Sequence, residues 1–85
     1  MSLINVKKPV REILTQSSSF PFSLKPSADG ISIVNVSSNP MSLILSTGDK
    51  TFTIPIPGSS TYDADFNGIQ TISHDAGSDF VIEVR

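Results

Sequence analysis

Apolar and polar residues alternate along most of the chain with a period of two, the spacing that puts one set of side chains on each face of a β-strand. Over residues 50–56, Phe52, Ile54 and Ile56 fall on one side and Thr51, Thr53 and Pro55 on the other. The final residues repeat the pattern, with Phe80, Ile82 and Val84 opposed to Val81, Glu83 and Arg85. Residues 41–46 alternate Met41, Leu43 and Leu45 against Ser42, Ile44 and Ser46. The run Ile31-Ser-Ile-Val-Asn-Val36 is rich in the β-branched side chains that suit a pleated surface. All four read as strands, those at 31–36 and 41–46 as consecutive antiparallel neighbours. Residues 10–16 are the one helix-compatible window, too short and too rich in β-branched and polar residues to stand alone.

Turn chemistry separates these runs. Ser37-Ser-Asn-Pro40, Thr47-Gly-Asp49, Pro57-Gly58, Asn67-Gly68 and Asp75-Ala-Gly-Ser78 supply residues that accept positive φ or preset it. Turns therefore recur about every ten residues, and the five glycines all fall in expected turns. The expected fold is all-β: a small antiparallel β-sandwich or barrel of about six to eight short strands, with little or no helix.

The 85 residues make a single β domain. Its first 29 residues are less regular, since Pro21 and Pro26 interrupt any long central strand, and residues 1–25 read as an N-terminal arm or edge segment. Phe20, Phe22 and Leu24 share a face at spacing two and so must bury something; on an arm, that is a neighbouring subunit.

Charge sharpens this expectation. The chain carries a net charge of −2, but its first 25 residues set Lys7, Lys8, Arg11 and Lys25 against Glu12 alone, while the rest set Lys50 and Arg85 against seven carboxylates. A basic arm on an acidic body suits head-to-tail contact between copies. Lys7, Lys8 and Arg11 thus join Phe20, Phe22 and Leu24 as the expected partner-binding residues. Dispersed cations do not make a nucleic-acid footprint, and the aromatic residues alternate into core positions away from them. No apolar run approaches the ~18–20 residues of a membrane span, and too few apolar residues precede Lys7 for a signal-peptide core, so synthesis in the cytoplasm is expected.

The chemistry available is narrow. Cysteine is absent, which removes disulfides, thiolate zinc sites and cysteine nucleophiles. Asp63-Ala-Asp-Phe-Asn-Gly68 matches the opening of a calcium loop, making Asp63, Asp65 and Asn67 candidate ligands. Its twelfth position is His74, where a bidentate Glu is required, and a turn in which Asp and Asn bond their own backbone accounts for the same residues. His74, the one histidine, neighbours Asp75, but successive strand residues point to opposite faces, and it reads as a solvent-facing turn residue. No serine sits in a G-x-S-x-G elbow, no glycine-rich phosphate loop is present, and so small a β domain has little room for a substrate cleft. The expectation is a non-enzyme with no cofactor and no small-molecule substrate.

Five stretches carry a family likeness: Val34-Asn-Val-Ser37, Leu43-Ile-Leu-Ser-Thr-Gly-Asp-Lys-Thr-Phe-Thr-Ile-Pro55, Pro57-Gly58, Tyr62-Asp-Ala-Asp-Phe-Asn-Gly-Ile69 and Phe80-Val-Ile-Glu-Val-Arg85. In this pattern residues 33–85 resemble small all-β structural, decoration-type proteins of tailed-bacteriophage virions. The resemblance implies a non-enzymatic virion component that assembles with copies of itself or with another virion protein. The competing expectation is a monomeric immunoglobulin-like module that binds carbohydrate or protein through a loop region at residues 59–74.

Overall fold

The alternation found in the sequence becomes six β-strands in the computed structural model, which describes residues 9–75 and 79–85. They are β1 (Glu12–Thr15), β2 (Phe22–Asn35), β3 (Met41–Ser46), β4 (Thr51–Ile56), β5 (Thr61–His74) and β6 (Phe80–Val84). All pair antiparallel in one sheet of order β1-β6-β2-β5-β3-β4. The sheet is not closed into a barrel, because β1 and β4 each have a neighbour on one side alone. Among the described residues there is no helix.

Two expectations about connectivity change. β2 and β3 follow one another in sequence but do not pair, since β5 lies between them. Residues 61–74, expected to hold a turn and a ligand loop, form β5 instead, so the loop region assigned to 59–74 does not exist as a loop. Asn67-Gly68 lies within that strand. Gly68 does take the positive φ of 83° that the dipeptide signals, but uses it for a bulge. The pairs Gly30↔Asp65 and Ala28↔Ile69 are separated by two steps on β2 and four on β5. A complementary excess on β2, between Ser23↔Thr71 and Ala28↔Ile69, spans Pro26, which has no N–H to give to a ladder. Paired bulges bend strands and raise their twist. Here they divide the β2–β5 ribbon into two halves.

That bend makes the core. The upper half of the sheet presents Leu14, Ile31, Ile33, Ile82 and Val84, the lower half Leu43, Leu45, Ile56 and Ile72, each at or below 1% exposure. A lone flat sheet leaves one face in water. With no helix to cover them, these side chains are sealed by the two halves facing each other, as in a sandwich made from one folded sheet. The thinnest dimension of the molecule, 20 Å, accommodates two layers spaced ~10 Å apart.

Candidate functional site

On the outer face of the upper half, the register lays three rows across β6, β2 and β5. The first holds Arg85, Gly30 and Asp65, the second Glu83, Ser32 and Asp63, and the third Val81, Val34 and Thr61. Polarity falls along the strands from an ionic end to an apolar one.

The ionic end is built around Arg85, which is 8% exposed. Its backbone N–H donates to Gly30 O at 2.9 Å, and its carbonyl accepts from Asp29 N at 2.8 Å and Gly30 N at 3.3 Å. Its guanidinium reaches over Gly30 to β5, donating 2.8 Å bonds to Ser32 Oγ and to Asp63 Oδ1, with Asp65 Oδ1 at 3.5 Å. The Asp63 hydrogen bond, against the cost of burial, holds the arginine pKa above its ordinary value. A Cβ on residue 30 would stand 2.9 Å from Arg85 Nη2 and 3.1 Å from Asp65 Oδ1. Glycine here is a passage for the side chain, not the turn residue expected.

This arrangement bears on the calcium reading. Asp63 and Asp65 do share a face, as their spacing dictates, but the positive charge between them is the guanidinium. The side chain of Asn67 lies outside the described residues. Among the described residues no cluster of three or more His, Asp or Glu side chains could hold a metal ion.

The expected docking residues divide. Phe20 and Phe22, both half-buried, pack against the core and Leu24 is 6% exposed, so this stripe covers the chain's own interior. The register supplies the reason: Phe22 enters β2 opposite Ile72. Arg11 precedes the edge strand β1 and donates to Pro26 O. Lys7 and Lys8 lie outside the described residues.

His74 is likewise drawn inward. Phe20 meets it edge-on with ring centroids 4.4 Å apart, and Phe80 meets it at 4.6 Å. Burial lowers its pKa below the ordinary histidine value, partly opposed by Asp75. Asn35 occupies another polar position in the interior. Its amide donates to Asn39 O at 2.8 Å, Pro57 O at 3.1 Å and Ile56 O at 3.4 Å, and its Oδ1 accepts from Ser37 N at 3.1 Å. One side chain thereby ties the end of β2 to the end of β4 and to both adjoining turns.

No family model, curated protein or solved structure matches the chain. Its chemistry must be read from geometry alone. The depressions beside Thr15 and Val36, and along Ser23–Ser27, are open and shallow. The polar groups just described bind one another or the backbone. At the apolar end, by contrast, Val36 is 59% exposed and Val34 42%, and on β1 Ile13, opposite Glu83 of the second row, is 58% exposed. Sequence reasoning missed Arg85 by treating it as an ordinary outward residue; the D-x-D spacing that puts two carboxylates on one face was the available signal.

Proposed function

We propose that this chain is a non-enzymatic structural module, a virion component of the tailed-phage kind that assembles with copies of itself or with another virion protein. The observation carrying this reading is the exposed aliphatic strip of Val34, on the outer face of β2, and Val36, just past its end, with Ile13 also exposed on β1. Aliphatic side chains clustered on the open face of a small domain favour a partner that removes them from water. The ionic and aromatic groups support the same reading, because each is occupied in holding strands together. The virion setting rests on the resemblance over residues 33–85.

The test is the solution mass of the full chain across concentration, measured by light scattering beside Val36→Lys. A defined multimer whose mass V36K lowers, without change in circular dichroism, is the expected result. A wild-type chain that stays monomeric at every concentration sinks self-association, and a multimer indifferent to V36K sinks the role of the strip.

A further inference from the structure

The geometry points to the open edge of β4 as the place where a second copy of this chain pairs, extending the sheet across a two-fold axis through Thr53. This rests on the assembly reading and names a surface and an occupant for it.

Four observations carry the inference. First, β4 is an edge strand with β3 as its one neighbour, and at six residues it is longer than the four-residue edge β1. Second, the core side of the sheet runs on to this edge without being finished. Phe52, Ile54 and Ile56 stand opposite Leu45, Leu43 and Met41, all buried, yet Phe52 remains 38% exposed and Ile54 half-buried. Third, no residue of β4 is charged, so of the guards that commonly keep an edge single the strand carries Pro55 alone.

The fourth observation decides the occupant. The bond from Thr47 N to Lys50 O, 3.0 Å, closes the β3–β4 hairpin and makes that pair a hydrogen-bonded one. Alternation along the register then aims the backbone groups of Phe52, Ile54 and Ile56 at β3, and those of Thr51, Thr53 and Pro55 off the sheet. Pro55 has no N–H and offers its carbonyl alone, so the residue opposite it must donate its N–H and leave its own carbonyl to water. Antiparallel pairing of β4 with itself about Thr53 does this. The two Thr53 residues exchange both their bonds, each Thr51 donates to the carbonyl of the other copy's Pro55, and every outward N–H of Thr51 and Thr53 is used. The same register sets Phe52 across from Ile54 of the other copy, twice, an aromatic to β-branched cross-strand pair that covers both half-exposed side chains. No charged side chains oppose each other within the paired segment.

The experiment uses the full chain with Thr53→Pro, which deletes the outward donor on the axis while leaving the groups that face β3 untouched. In a Val36→Lys background, which removes contacts made through the aliphatic strip, sedimentation equilibrium should show twice the chain mass, and the single mass once T53P is added. Amide exchange on the unmodified chain gives a second readout that does not depend on the variant folding. The Thr51 and Thr53 amides should exchange about tenfold more slowly at high than at low protein concentration. A monomeric wild type, or fast and concentration-independent exchange at both threonines, overturns the edge pairing. A multimer that V36K dissociates and T53P leaves intact overturns it too, while leaving the assembly reading in place. A chain held instead by a different protein's strand would show threonine protection only when that protein is added, which also counts against a second copy.

Discussion

At the scale of single residues, the molecule depends on positions where a missing or neutral group is the point. Gly30 leaves the gap through which Arg85 crosses β2, and the contacts a Cβ would make, at 2.9 and 3.1 Å, involve the charged atoms of the pair it would separate. We expect Gly30→Val to cost about 1–3 kcal/mol by overpacking, read by urea denaturation, and an Arg85→Met background to abolish most of that cost. His74 makes stability depend on pH. Its folded pKa is lowered by burial between Phe20 and Phe80, so below about pH 6.5 the unfolded chain binds the extra proton more readily, and stability present above that pH is lost as it falls. Thermal midpoints from pH 7.5 down to 5 should decline for the wild type and flatten over this window in His74→Phe; equal slopes in the two would remove His74 as the cause. Neither residue announced itself. Gly30 has the composition of a turn residue, and His74 sits beside Asp75 in a stretch that looks like a turn, while the aromatic rings that bury it come from residues 20 and 80.

Among elements, what could be read from the sequence was the face each strand buries. Phe80, Ile82 and Val84 and Met41, Leu43 and Leu45 all went inward as their alternation requires, because period two fixes faces without knowledge of neighbours. What could not be read was length and partner. β2 and β5 each run for 14 residues through signals that ordinarily end a strand, Pro26 in one and Asn67-Gly68 in the other. A bulge and a turn demand the same backbone freedom, so local chemistry cannot tell them apart; the choice belongs to the facing strand. Asn35 shows the same dependence, since its three carbonyl partners lie at positions 39, 56 and 57. Replacing it with alanine strands buried carbonyls from two turns at once. Asn35→Ala should destabilise by about 2–3 kcal/mol in chemical denaturation, and Asn35→Asp should fail to restore it, because a carboxylate offers no donor.

For the whole molecule, the order β1-β6-β2-β5-β3-β4 puts the first strand beside the last and the last beside the second. Glu12 lies opposite Val84, and Asn35 opposite Phe80. Few of these contacts are available to a partly made chain: until β6 emerges, β1 has no neighbour and the upper half of the core lacks Phe80, Ile82 and Val84. At a synthesis rate of ~5–20 residues per second, the nascent chain spends seconds with its longest apolar strands unpaired. Pairings of such large sequence separation close slowly as well, since loop entropy is lost before any contact offsets it. Closure of the upper half therefore waits for β6, and until then the edge of β2 that β6 will cover is open to any other strand that meets it.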